Sequence, residues 1–219
     1  MRSRRRMDNK RISDFIRGYA AEEDELLRRI RSECESAGVP LIRPETAMFL
    51  RTVTALVRPH LVLELGTAAG YSAICMAGSF EGIERIDTLE DWEPRYAIAE
   101  ANIKEAGLTD RISLIKGDAS ETMKSLTGPY DMVFIDAAKG QYPDYLKEAM
   151  RLTAAGSVII ADNILMDGEI IESRYLVERR DRTIHKRIRE FLDDITGDDR
   201  LVTSLIPVGD GITFSVRER

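Results

Sequence analysis

Leu61-Val62-Leu63-Glu64-Leu65-Gly66-Thr67-Ala68-Ala69-Gly70-Tyr71-Ser72 is the stretch that decides the fold. A short apolar run ends in a glycine-bearing turn, and a helical pattern follows from Tyr71 to about Phe80. The same alternation then repeats. Strands are predicted at Arg85–Leu89, Ile112–Ile115, Met132–Ile135 and Ser157–Ala161, with helices between them over 93–106, 119–126 and 142–152. Short, continuously apolar strands alternating with helices imply a mostly parallel sheet covered on both faces. Upstream, Leu26, Leu27, Ile30 and Cys34 recur at helical spacing, as do Ala47, Leu50, Val53, Thr54 and Val57 behind Pro44, which suits a helix start. Gly38–Arg43 reads as an extended connector between those helices. Downstream, a helix presenting Ile184, Ile188, Phe191, Leu192 and Ile195 leads to Leu201–Ile206 and Ile212–Val216, joined through Val208-Gly209-Asp210-Gly211. That pair reads as an antiparallel hairpin. The expectation is one α/β domain over 1–219: N-terminal helices over 1–58, then a doubly wound, mostly parallel seven-stranded core over 59–219, closed by the hairpin.

Composition removes several classes. The chain has 219 residues, 43% hydrophobic and 32% charged. The apolar fraction is too high for a disordered chain, and no uncharged stretch approaches the ~18 residues a membrane-spanning helix needs. The two cysteines, Cys34 and Cys75, fall inside apolar helical patterns. They read as core thiols in a reducing, cytoplasmic compartment. The opening Met1-Arg2-Ser3-Arg4-Arg5-Arg6 is basic, but no apolar segment follows as in a secretory signal, and Met7 is an alternative start. Net charge is -6, yet 174–190 carries seven basic and three acidic side chains. A mostly acidic body with two basic segments, 1–11 and 174–190, does not suit a general polyanion binder and allows local contact with one.

The chemistry collects at predicted strand ends. Gly66 and Gly70 let the backbone approach a ligand at the sheet's switch point. Two glycines fall short of the fuller pattern a dinucleotide pyrophosphate wants. A cofactor without phosphate needs less, and S-adenosylmethionine (SAM) fits; the alternative is a turn that only packs helix on strand. About 20 residues on, Glu90 or its neighbour Asp91 could accept both ribose hydroxyls of a nucleoside. Glu90 is preferred. Lys116-Gly117-Asp118-Ala119 ends the third strand, where Asp118 could reach an adenine amino group, cap the next helix, or do both. The fourth and fifth strands end at Asp136 and at Asp162-Asn163. Three oxygen donors with no nearby Cys or His suit a hard cation such as Mg²⁺. Asp162-Asn163 alone would read as a turn; its coincidence with Asp136 and Lys139 favours a site.

Glu64–Ser72, Phe134-Ile135-Asp136-Ala137-Ala138-Lys139-Gly140-Gln141-Tyr142 and Ala161-Asp162-Asn163 together resemble the cation-dependent O-methyltransferases, the family of catechol and caffeoyl-CoA O-methyltransferases. The likeness runs from about Val39 to the C-terminus. It implies a Rossmann-like class I methyltransferase fold, SAM and Mg²⁺ as cofactors, and a homodimer with the N-terminal helices at its interface. It places Asp136, Asp162 and Asn163 at the metal. Lys139, with Asp136, stands at the catalytic position, as a base or as a counter-charge for the developing oxyanion. Ile42, Glu64, Gly66, Ser72, Glu90, Asp118, Ala119 and Asp136 fall at the cofactor. Asp87-Thr88-Leu89-Glu90-Asp91-Trp92 departs from the family's more apolar strand. His60 and His185 need no catalytic role.

A catechol and a 5-hydroxyuridine both offer adjacent oxygens to a cation, so the surroundings must separate them. Asp136–Tyr142, Arg179-Arg180-Asp181-Arg182 and Ile206–Gly211 are similar to the tRNA 5-hydroxyuridine branch of the family. That likeness implies methylation of 5-hydroxyuridine to 5-methoxyuridine in the anticodon loop of tRNA, with Arg179, Arg180, Arg182, Lys186 and Arg187 toward phosphates. The alternatives are a small catechol-like or phenolic acyl-CoA acceptor and, from another class, a nicotinamide oxidoreductase or a nucleotide-binding module.

Overall fold

The computed structural model describes residues 9–19 and 23–219; the basic run Arg2–Arg6 lies outside them. Three helices come first: Asn9–Arg17 (α1), Glu25–Ala37 (α2) and Pro44–Val57 (α3). Asp24 caps α2 by accepting the Leu27 amide, and Gly38 ends it in a left-handed turn. Pro44 opens α3, where its missing N–H leaves nothing unsatisfied.

The core alternates strand and helix: Leu61–Leu65 (β1), Tyr71–Ser79 (α4), Arg85–Glu90 (β2), Glu93–Glu105 (α5), Ile112–Lys116 (β3), Ala119–Ser125 (α6), Tyr130–Ile135 (β4), Tyr142–Leu152 (α7) and Thr153–Ala161 (β5). Arg182–Gly197 (α8), Leu201–Ile206 (β6) and Ile212–Arg217 (β7) complete it. The seven strands order as β3-β2-β1-β4-β5-β7-β6. All neighbours are parallel except β7, which runs antiparallel to both β5 and β6. The doubly wound sheet and its terminal hairpin follow the sequence reading.

Two strands start earlier than their apolar runs. β4 begins at Tyr130, whose hydroxyl is buried and donates to Asp87. β5 begins at Thr153, ahead of the expected Ser157, because Thr153 pairs with Tyr130 across a register shift. Ala154, Ala155 and Gly156 are exposed and lack the β-branched character that marks a strand.

Side chains alternate between two cores. Val62, Ile86, Met132, Phe134, Val158 and Ile160 pack against α2–α5. Leu63, Leu65, Leu89, Val133, Ile135, Ile159 and Ala161 pack against α6–α8. Cys34 and Cys75 are free and buried, as read from the sequence. Among the described residues, no helix is long and apolar enough to cross a membrane.

The switch point lies between β1 and β4. Gly66 has φ 94°, and a Cβ there would drive into the Asp136 carbonyl. Gly78 lies in α4 with open space around its Cβ position. We expect Gly66→Ala to lower stability by about 3 kcal/mol, a Tm loss of about 6–12 °C. Gly78→Ala should raise stability by about 0.5–1 kcal/mol. Calorimetry that finds the two variants alike contradicts this account of the turn.

Candidate functional site

One cleft of about 420 Å³ opens over the C-terminal ends of β1–β5. Ile42, Gly66, Ser72, Glu90, Asp118, Ala119, Asp136, Lys139 and Asn163 all line it. Glu64 and Asp162 do not; both are fully buried, one layer behind the wall.

The cofactor-side residues form a hydrogen-bonded frame. Glu90 accepts the Ala68 amide at 2.9 Å and the Trp92 amide at 3.0 Å, which ties the glycine turn to the end of β2. Asp91 is exposed but also lines the cleft. Asn102 of α5 donates to the Ala69 carbonyl at 2.9 Å. Thr88 donates to Glu64 at 2.5 Å and lies 2.6 Å from the Thr67 hydroxyl. The polar residues that set β2 apart are therefore satisfied, since Asp87 accepts from Tyr130 and Arg85. Glu64 retains one buried oxygen, Oε1, without a partner. Burial pushes its carboxyl up to about 7, against the lowering effect of Ser72 and Thr88 and with further raising by Asp136 and Glu90. Asp118 lines the cleft and also caps α6, accepting the Glu121 amide at 3.1 Å.

On the other side, the ends of β4 and β5 bring Asp136, Asp162 and Asn163 together. The Asp136 amide donates to the Leu65 carbonyl, and the Asp162 amide to the Ile135 carbonyl, both at 2.9 Å. The Tyr142 hydroxyl donates to the Asp162 carbonyl at 2.9 Å. Asp162 Oδ1 accepts the Asn163 amide at 2.7 Å, while Oδ2 is buried and unpartnered. Burial pushes Asp162 up to about 7, and the Asp136 charge adds to that rise. Burial lifts Asp136 to about 6, partly offset by Lys139. An orphaned carboxylate oxygen beside a second carboxylate and a carboxamide is a donor set that fits a hard divalent cation. The cation would supply the missing partner and offset the repulsion.

Sequence reasoning missed Pro40, Leu41, Arg95, Gln141 and Tyr145, all on the cleft wall. Gln141 and Tyr145 stand four apart, so helical spacing at the start of α7 was the available signal. Gln141 accepts from the Ser120 hydroxyl at 2.6 Å. Arg95 lies over the Trp92 ring, 4.9 Å from its centroid. His185 is buried in α8 and His60 pairs with Glu84 at the surface, neither on the cleft wall.

The arginine-rich segment makes several contacts within the fold. Arg180 pairs with Glu178 and Asp181, Lys186 with Glu190, and Arg187 with Asp144 and Glu190. Arg182 donates to the carbonyls of Val177 and Tyr175. Four of the five side chains expected to face phosphates thus hold partners within the fold. Arg174, Arg179 and Arg189 are exposed, as are Ile171, Tyr175 and Leu176.

A profile of the O-methyltransferase family matches residues 18–218, and the chain belongs to that family. It is 40% identical to a catechol O-methyltransferase of Niastella koreensis over 74% of each chain. A catechol O-methyltransferase of Mycobacterium tuberculosis is 32% identical over 73% of this chain and 74% of its own. A solved O-methyltransferase of Bacillus cereus, in complex with S-adenosylhomocysteine (SAH), superposes with a TM-score of 0.84 at 28% identity, covering 95% of this chain and 97% of its own.

The acid pair makes stability depend on pH. An unfolded Asp titrates near 4, whereas folded Asp136 and Asp162 are lifted to about 6 and about 7. Between those values the folded chain holds more protons, so their contribution to stability is present at low pH and lost as pH rises to about 7. Without divalent cation, the wild-type Tm should fall by several degrees from pH 5 to pH 8 relative to Asp162→Asn. Mg²⁺ should raise Tm more at pH 8 than at pH 5.5, because it binds the ionised pair. Parallel pH profiles for the two proteins would contradict the assignment.

Proposed function

We propose that this chain transfers a methyl group from SAM to one of two adjacent hydroxyls on a small catechol-like aromatic, with a divalent cation held by Asp136, Asp162 and Asn163. The observation that carries this reading is the shared cleft. Glu90 and the glycine turn stand at the ends of β2 and β1, Asp136 at the end of neighbouring β4 and Asn163 after β5, all on one cleft wall with Asp162 buried behind it. SAM supplies an electrophilic methyl group, and the cation lowers the pKa of an acceptor hydroxyl. The chain's task is then to align the reacting groups and exclude water.

Glu90, held by two backbone amides, is suited to the ribose hydroxyls. Gly66 and Ser72, with Glu64 behind them, are suited to the methionine end, and Ile42 covers it. Asp118 and Ala119 are suited to the adenine. Lys139, at the cleft wall three residues after Asp136, balances negative charge on the acceptor or takes its proton. The homodimer implied by family likeness is part of this proposal; exposed Phe15 and Leu56 on the N-terminal helices, and Tyr19 just after the first, are consistent with it.

The catechol-like acceptor is favoured over tRNA by the partners that Arg180, Arg182, Lys186 and Arg187 already have. The names of the two relatives at 40% and 32% identity agree with it. The tRNA reading keeps one observation of its own, the exposed Arg174, Arg179 and Tyr175 beside the loop that follows Asn163.

Both acceptors can be tested in one assay with mass-spectrometric readout. With SAM and Mg²⁺, catechol should gain one methyl group, and excess chelator should stop the reaction. Asp162→Ala should slow it by about 10²-fold or more, as expected for loss of several kcal/mol of charge stabilisation. Methylation of a 5-hydroxyuridine stem-loop with catechol left untouched would overturn the small-acceptor reading in favour of tRNA. Full activity in chelator would overturn the role of the cation.

A further inference from the structure

The loop after the candidate cation donors holds Met166 in a conformation its side chain does not favour, between an Asn and an Asp that adopt it more readily. Asn163, Met166 and Asp167 have φ values of 57°, 51° and 51°, in the left-handed region that suits glycine. Two neighbours hold the loop in place. Buried Asp210, in the β6–β7 turn, accepts the Asp167 amide at 2.7 Å and, through its carbonyl, the Leu165 amide at 2.9 Å. Arg43 donates to Asp167 Oδ1 at 2.6 Å and to the Gly209 carbonyl at 3.2 Å.

Arg43 directly follows Ile42, which lines the cleft, and it opens α3 by accepting the Ala47 amide at 3.0 Å. Arg43 itself is not on the cleft wall. The connector it ends, Gly38–Arg43, has no regular secondary structure. One side chain therefore joins the irregular segment that lines the cleft to the loop that begins at Asn163. The Asp167 end of the bridge is largely exposed, so it contributes little to overall stability.

We propose that Arg43 is a positioning residue that couples the two ends of the cleft. A cofactor that orders the connector also favours the loop conformation that presents Asn163, and a cation bound at Asn163 tightens the cofactor in return. Such coupling is reciprocal, and it works by sharing one ordering cost between two ligands. The inference rests on the cation reading given above.

Calorimetric titration of SAH into the full chain, with and without saturating Mg²⁺, tests it; a titration of Mg²⁺ alone tests the reading beneath it. In the wild type, Mg²⁺ should tighten SAH binding by about five-fold or more, the lower end of ordinary coupling. In Arg43→Ala the ratio should fall to near one, while each ligand still binds alone and Tm barely moves. Asp167→Asn should do the same, and Arg43→Lys should keep part of the ratio. An unchanged ratio in Arg43→Ala and Asp167→Asn overturns the coupling. So does a wild-type ratio of one with both ligands bound. A wild type that binds SAH but no Mg²⁺ instead removes the cation reading, and this inference with it.

Discussion

The structure depends on the close approach of Gly66 to the end of β4. The last β1–β4 pairing puts the Asp136 amide on the Leu65 carbonyl at 2.9 Å, and Gly66 leaves no side chain to separate the strand ends. This one contact makes the glycine turn and the proposed cation donors parts of a single cleft. Helices diverge to opposite faces of the sheet here, which opens the crevice in which ligands bind in such folds.

The same approach concentrates negative charge. Glu64, Glu90, Asp136 and Asp162 lie at adjacent strand ends, and all but Asp136 are almost fully buried. Glu90 is satisfied by backbone amides, so its charge is anchored. Glu64 and Asp162 each keep an unpartnered oxygen and are pushed up toward neutrality. An unmet buried acceptor lowers stability by about 1–3 kcal/mol. Two such groups one layer behind the cleft wall would suit the cationic partners proposed above. The sulfonium and ammonium of SAM, and a divalent metal, are partners of that kind.

Much of this was legible in the sequence because the code is local. Strand–turn–helix periodicity placed β1–β5, and strand ends in a parallel sheet must fall along one edge, so Glu90, Asp118, Asp136 and Asn163 could be grouped without coordinates. The start of β5 was not legible, because Thr153 joins the sheet through its distant partner Tyr130. The partners of the arginines within the fold were not legible either. A run of basic residues reads as free charge, yet Arg187 reaches Asp144 on α7, a contact that tertiary packing alone creates. The Arg43–Asp167 bridge spans 124 positions and leaves no periodic trace.

The central claim is that cofactor and cation share one cleft, with Asp136 between them. Paramagnetic broadening measures that most directly. Bound SAM carrying a ¹³C-labelled methyl group would be observed by NMR while Mn²⁺ is titrated in place of Mg²⁺. The account predicts strong broadening of the methyl signal in the wild type and its loss in Asp162→Ala with SAM still bound. A methyl signal that stays sharp in the wild type while Mn²⁺ is bound would contradict it.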